Sequence, residues 1–548
     1  MSQEQLSHNR ETLKNSSVFS LFTSMSRVLG LLRDMLKAYA FGTGPLSVAF
    51  DIAFRLNNML RNLVAEGALS QAFVPLYNRY AAEGESKARE AAGVVIVFVA
   101  IAMTIVTCAV IFALPYLMPL LLASERMPAE QLQLTIDLSQ LLFPYLVMMS
   151  VASLYMGIQY SHKIFWAASF GPALLNIVIL VFFGAYAAYV RLTGGAFGVN
   201  SVYVFSVATL VAAVAQVVFQ IYTVHRRGLA PRYSFSLKHG ALKALGSMML
   251  PAVFAASMQE VGQLIDVYLA TSLSDRVPEA ISALTYSHRL IQLPIGVFGV
   301  AVATASLPQL SRIFQQSVSS GDQSVSAGDG DTAGDTFSSS LAYSVRLNFF
   351  FLLPAVAGLM VFSGPIVRVI FQRGAFTARS TEVTALALMC YAPGILAYSL
   401  QKLFTISLYA RMNTRTPAII TAVALVMNFA FSLYLMQSML HGGLAAGSAI
   451  AAWCGVLIYI VVLLRGRVLR SPVTLLKDLV RIIAVNFVFA LLLVALRIYV
   501  FPERALLQPA IAIPLAVAFY VALARLAHIG EAHVLTEFLA KLRRRLPF

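Results

Sequence analysis

Charge is scarce in this chain. Only 12% of its 548 residues are Asp, Glu, Lys or Arg, about half the roughly 25% that a soluble protein carries. A charged shell able to keep a chain of this size in water is therefore excluded. Acids are scarcer than bases, 24 against 40, for a formal charge of +16. Cysteine occurs three times, as Cys108, Cys390 and Cys454. All three sit in apolar stretches, so neither a disulfide framework nor a metal site is implied. Catalytic motifs are missing too: there is no HExxH, no nucleophile elbow and no glycine loop to cradle phosphate. The N-terminal MSQEQLSHNRETLKNSS is polar without a cleavable signal pattern, so the first span is expected to serve as the insertion signal.

Apolar sequence is what the chain has in quantity, 59% of it. Runs of about 20 residues, each long enough to cross about 30 Å of hydrocarbon, recur from end to end. The pattern predicts an all-α polytopic membrane protein with fourteen transmembrane helices, near 16–40, 48–74, 91–119, 134–160, 164–190, 199–224, 246–272, 281–308, 342–370, 381–409, 417–438, 443–464, 476–500 and 506–527. With the N-terminus inside, loop bases such as Arg226, Arg227, Lys238 and the Arg543–Arg545 run fall on one side. They outnumber those opposite roughly threefold, so both termini are expected in the cytoplasm. The same asymmetry accounts for the net charge without invoking nucleic acid.

A weak internal repeat relates the two halves. Ala72-Phe73-Val74-Pro75-Leu76-Tyr77-Asn78-Arg79 is echoed by Ala305-Ser306-Leu307-Pro308-Gln309-Leu310-Ser311-Arg312, and Gly171-Pro172-Ala173 by Thr416-Pro417-Ala418. Each echo lies six helices away, which predicts parallel pseudo-symmetric lobes of the kind that alternate access in transporters. The expected division is 1–225 for helices 1–6, 226–465 for helices 7–12, and 466–548 for helices 13–14 with a basic tail. The stretch 315–340, rich in Ser, Gly and Asp and devoid of bases, is expected to be disordered.

Five arginines, Arg27, Arg33, Arg55, Arg61 and Arg289, interrupt the apolar runs. A charge at the bilayer centre costs roughly 2.5–3.5 kcal/mol, and such residues usually face a wet cavity or a functional partner. On helix 2, Asp51, Arg55, Asn58, Asn62 and Glu66 follow spacings that place them on one face, with Arg61 at its border. Such a stripe must line a hydrated cavity or pack on another polar surface; a helix lying on the membrane would leave an odd number of spans. Asp51 and Arg55 are also spaced for an i,i+4 ion pair. On helix 1, Arg27 and Asp34 share a face, while Arg33 and Asp34 could alternatively snorkel to the outer boundary. Helix 8 carries Arg289 beside His288. Arginine suits an anionic passenger because its planar fork matches paired phosphate oxygens and stays charged when desolvated. Several converging guanidiniums fit a diphosphate. Asp266 on helix 7, near Gln259 and Glu260, together with Asn428 and Ser432 on helix 11 and Ser448 on helix 12, offers oxygens for a small cation; isolated interhelical hydrogen bonds are the alternative.

At SRVLGLLRD (26–34), the FG at 41–42, FRLNNMLRNLVAEGALSQAFVP (54–75) and HRLIQLPIGVFGVAVATASLPQLS (288–311) the chain resembles the MurJ/MviN family of lipid II flippases. The resemblance implies two six-helix lobes of the MOP exporter type, with helices 13 and 14 forming a groove for a prenyl tail. It implies a bacterial inner-membrane transporter, not an enzyme, that flips undecaprenyl-diphosphate-linked peptidoglycan precursor to the outer leaflet by alternating access. Arg27, Arg33, Asp34, Arg61 and Arg289 match family positions for the substrate cavity, and Glu66 matches the acid of an AEG motif. A sodium ion at Asp266, Asn428, Ser432 and Ser448, or the membrane potential, is the implied coupling source. A monomer is expected, with cell-wall synthesis proteins as candidate partners and no nucleic acid. Three positions depart from the family pattern: Val48 where an acid is usual, Asn62 in place of a second base, and His288 where an acid precedes the arginine. A flippase for another prenyl-diphosphate saccharide, or a non-transporting scaffold for lipid precursor, is the alternative reading.

Overall fold

The computed structural model describes residues 3–63, 69–122, 124–299, 332–470, 472–500 and 508–531, with a few single residues elsewhere. Among them no strand occurs. The first helices are α1 (Gln3–Phe41), α2 (Pro45–Leu60), α3 (Ser70–Ala82), α4 (Glu85–Leu121), α5 (Ala129–Leu142), α6 (Pro144–Ser161), α7 (Phe165–Leu192), α8 (Val199–Arg226) and α9 (Gly240–Thr271). The remainder are α10 (Ala280–Pro294), α11 (Thr332–Val361), α12 (Ser363–Phe371), α13 (Ala378–Tyr391), α14 (Gly394–Ala410), α15 (Arg415–Met439), α16 (His441–Arg465), α17 (Pro472–Ala495) and α18 (Gln508–Leu526). Eight described helices are long and apolar enough to cross a membrane, or nine if the pair α13 and α14, bent by 43°, counts as one span. The predicted spans near 281–308 and 506–527 run into residues outside the described ones, and the one near 134–160 is long and apolar enough although a turn at Phe143 divides it. Pro144 ends α5 and opens α6, because its ring cannot continue the ladder but suits a first helical turn. Helix 2 stops at Leu60 and widens into a π-helical turn over 61–63.

The chain forms two compact units, Met1–Ser282 with Arg373–Ser380, and Ala283–Gln372 with Thr381–Phe548. In the first, Phe41, Phe50, Phe183 and Phe205 make one aromatic core, the Phe50 and Phe183 rings each meeting Phe205 edge-on at 4.8 Å. A second core gathers α3, α4 and α6 around Phe73, Tyr77, Val95 and Tyr155. The 373–380 segment is tied to the end of α1: Ala375 N donates to Tyr39 O at 2.9 Å, and Thr43 Oγ1 meets Ser380 Oγ at 2.7 Å. Gly42 makes this approach feasible. Its φ is +57°, and a Cβ there would lie 2.3 Å from Ala375 O, so no larger residue fits. Helix α9, expected among the second-lobe helices, packs against α3 and α4 of this unit.

In the second unit α17 and α18 close on α11. Tyr520 donates to Phe350 O at 2.7 Å within a core of Phe350, Phe489 and Leu493. Arg346 donates to Asp478 at 2.7 Å and to Glu531 at 2.8 Å. The expectation of disorder over 315–340 needs correcting at its end. Residues 332–340 are helical, with Phe337 and Ser338 buried, while 314–331 lie outside the described residues. The polar composition hid a tertiary partner: Arg470 N donates to Ser338 Oγ at 2.8 Å.

Helices α15 and α16 approach through Gly443 and Gly447, small residues four apart that let backbones close up. A Cβ at 443 would sit 2.4 Å from the Leu435 carbonyl, which is backbone and cannot rotate away. Gly443→Ala is therefore expected to destabilise the purified protein by about 1–3 kcal/mol, the usual cost of overpacking. Thermal unfolding in detergent measures it, and a wild-type midpoint would contradict this packing.

Candidate substrate-binding site

The candidate site residues of the first unit are carried by α1, α2 and α9. Arg33 donates to Asp34 Oδ1 from Nε at 3.0 Å and Nη2 at 2.8 Å, and reaches Asn176 Oδ1 on α7 at 3.3 Å. Asn176 is itself held by Ser26 O and Pro172 O. With side chains only 13% and 12% exposed, Arg33 and Asp34 sit in the interior and do not snorkel. Arg27, on the same helix, is half-buried.

One turn beyond Arg33 stands Lys37, which sequence reasoning passed over. Its ammonium pairs with Asp51 Oδ1, both side chains being nearly inaccessible at 4% and 6%. Ser282 Oγ donates to the other carboxylate oxygen at 2.8 Å and lies 3.0 Å from Ser47 Oγ, from which it can accept. The expected Asp51–Arg55 pairing thus gives way to Asp51–Lys37. The two partners stand seven residues either side of Gly44, in the turn joining α1 to α2. That symmetry was the available signal. Lys37 also lies over the Phe50 ring at 5.9 Å and Arg33 over Phe54 at 5.8 Å, the two rings being stacked at 5.5 Å. Each cation so gains a π-face where a lipid-facing position would offer none.

Arg61 opens the π-helical turn after α2. Its fork splits between Tyr145 OH and Asn62 Oδ1, both at 3.3 Å. Asn62 in turn donates to Glu260 on α9, and Arg61 and Arg55 act electrostatically on that buried carboxylate. Where a second base is usual in the resembled family, this chain thus has an amide linking Arg61 to an acid. Gln263 supplies a further hydrogen bond to Glu260 at 2.8 Å. Glu260, read from sequence only as a neighbour of Asp266, belongs with the arginines. Asn58, on α2, is half-buried. Glu66 and the side chain of Gln259 lie outside the described residues.

Within these spans Arg27, Arg33, Lys37, Arg55 and Arg61 of α1 and α2 stand against Asp34 and Asp51 of the same helices and Glu260 and Asp266 of α9. Positive charge stays in excess among the described residues, though less so than the arginines alone suggested.

The other predicted site residues fall elsewhere. Arg289, half-buried in the second unit, donates to Gln292 Oε1 at 3.4 Å, and His288 meets Tyr391 edge-on at 5.6 Å. Of the candidate cation ligands, Asn428 Oδ1 accepts from Ser432 Oγ at 3.2 Å and Ser448 Oγ at 3.1 Å, so three neutral oxygens gather in the second unit. Asp266, half-buried, belongs to the first unit. No cluster of three or more His, Cys, Asp or Glu suited to a metal occurs among the described residues.

The family model of lipid II flippase MurJ matches residues 37–514. The probable lipid II flippase MurJ of Rhizobium meliloti (strain 1021) is 32% identical over 524 residues, 92% of this chain and 93% of the relative. That of Rickettsia prowazekii (strain Madrid E) is 29% identical over 440 residues, 80% of this chain and 81% of the relative. A solved lipid II flippase MurJ in an inward closed conformation aligns with a TM-score of 0.73 at 23% identity, covering 93% of this chain and 98% of that one. An inward-facing multidrug resistance MATE transporter of the MOP superfamily aligns at 0.64 and 17% identity, over 83% of this chain and 99% of that one. The fold is that of a helical multi-pass membrane protein, shared with solved transporters, and the matching family model and relatives are flippases, so the chain falls in the class of transporters. The apolar helices and the matched family make it a multi-pass protein of the bacterial inner membrane. Within that class the chain belongs to the lipid II flippase MurJ family.

Proposed function

We propose that this protein carries undecaprenyl-diphosphate-linked peptidoglycan precursor, lipid II, from the cytoplasmic to the outer leaflet by alternating access. The observation that carries the reading is the excess of bases over acids inside the spans of α1 and α2, in a chain of this family. Arg27, Arg33, Arg55 and Arg61 grip the diphosphate, while Asp34, and Glu66 by its place in the motif, orient the headgroup. Arg289 is the candidate anion-binding residue of the second unit. Glu260 competes for Arg61 and Arg55 through Asn62, which keeps the arginines ordered when no substrate is bound and favours release. The full complement of fourteen spans, with both termini in the cytoplasm and the last two helices accepting the prenyl tail, belongs to the same proposal. So does action as a monomer.

Transport in one direction needs a ligand or field that distinguishes the two states. The membrane potential supplies one such bias. Sodium supplies another, for which Asn428, Ser432 and Ser448 of the second unit would furnish neutral oxygen ligands; Asp266, of the first unit, is a separate candidate carboxylate.

Depleting the protein in cells and measuring the leaflet distribution of lipid-linked precursor tests the reading. Precursor is expected to accumulate on the cytoplasmic side. Unchanged outward delivery would end it. Purified protein in liposomes is expected to flip the precursor unaided; a scaffold would show no movement there.

A further inference from the structure

The loop joining α8 to α9, residues 227–239, is pinned at its base and open at its tip. Arg89 Nε donates to Ala230 O at 2.7 Å, Arg232 N returns a bond to Arg89 O at 2.9 Å, and Arg232 Nη1 reaches Ser86 Oγ at 2.8 Å. Gly93 makes room for this contact, since a Cβ there would fall 1.8 Å from Arg232 O. Tyr233 OH is hydrogen-bonded to Tyr155 OH. At the far end the His239 ring accepts from Ala241 N at 3.2 Å and lies against Tyr80. Between these anchors Phe235 and Leu237 are each 63% exposed. They alternate with Ser234 and Ser236 in a non-helical stretch that turns at 237–238, which leaves both in the open.

A fixed loop that holds two large apolar side chains in the open calls for an apolar acceptor. The loop itself and the end of α8 are basic: Arg226, Arg227, Arg232 and Lys238 are exposed, and no Asp or Glu occurs between 226 and 259. Its anchor on α4 is mixed, with Glu85 and Glu90 beside Lys87 and Arg89. The loop also leaves from the end of α8, one of the membrane-crossing helices, which sets it at the level of the lipid headgroups. Two side chains fall far short of the roughly 800 Å² per partner that a stable protein interface buries. They suit the shallow boundary between headgroups and acyl chains, where a basic collar meets anionic lipid.

We propose that the α8–α9 loop is a membrane-interface anchor, in which Phe235 and Leu237 enter the acyl boundary while Arg226, Arg227 and Lys238 bind the phosphates of anionic phospholipid. This rests on residence in a membrane and not on the substrate proposed above. It places a lipid-binding surface outside the transport site, on a segment that links α8 to α9.

The test uses Phe235→Trp in the full-length protein, reconstituted in nanodiscs of phosphatidylglycerol with brominated acyl chains. These discs offer the same lipid on both faces, so the result does not depend on which face is cytoplasmic. The emission added over native Trp166 and Trp453 is expected to be blue-shifted and mostly quenched, with Leu237→Trp behaving alike. Quenching is expected to weaken in brominated phosphatidylcholine and on combining Arg227→Gln with Lys238→Gln. Equal quenching in the two lipids would overturn the role of the basic collar. Emission typical of water, quenched by iodide and untouched by bromine, would overturn the anchor. So would protection that appears only when a cytosolic protein is added.

Discussion

Arg61→Lys is expected to leave membrane abundance unchanged and to cut lipid II transport by about 10- to 100-fold, the equivalent of about one charge-assisted hydrogen bond. Charge alone is not what Arg61 contributes. Its two terminal nitrogens already diverge, one to Tyr145 OH and one to Asn62 Oδ1. A fork of that shape can turn onto two oxygens of a phosphate, whereas an ammonium is a single point of charge. Both of these partners are neutral, so a phosphate has the charge to draw the fork away from them, against the pull of Glu260. Complementation of a depleted strain, with membrane abundance followed by immunoblot, measures the effect. A lysine variant that complements fully would show that bidentate capture is the wrong mechanism.

The second large effect concerns the Lys37–Asp51 pair. Removing one partner of a buried ion pair strands the other charge in a low-dielectric interior, at a cost of about 3–5 kcal/mol. Lys37→Met and Asp51→Leu should each lower the stability of the purified protein by that order. Combining them removes both charges, and most of the loss should be regained. The cycle is informative because the pair is nearly inaccessible and its remaining lone pairs are met by Ser47 and Ser282. Strictly additive losses in thermal unfolding would mean that the two side chains act separately. Flipping by the double variant then asks whether the pair serves only to join α1 to α2.

The helical membrane class was legible because low charge and runs of about 20 apolar residues leave no other solution for a backbone that must satisfy its own hydrogen bonds. The breaks were less so. Pro144 interrupts one predicted span and the π-helical turn at Arg61 interrupts another, and periodicity over a long window averages through such local events. The stretch at 332–340 was misread because composition registers Ser and Asp but not Arg470, 132 residues away from Ser338.

The candidate site divides the same way. Arginine within an apolar run is conspicuous by composition alone, so Arg27, Arg33, Arg55, Arg61 and Arg289 stood out at once. Lys37 did not, since one lysine near a helix end is ordinary until Asp51 is seen to fold back onto it.

What the sequence determined by itself was the solvent and the sign: a chain made for lipid, with positive charge retained where it is costly. Those are properties of residue type and run length, which need no partner to be defined. Which acid meets which base was decided by tertiary structure alone. Asp51 turned to Lys37 instead of Arg55, and Glu260 reached Arg61 by way of Asn62, because a buried charge takes the counter-charge that neighbouring helices deliver within a few ångströms, whatever its spacing along the chain.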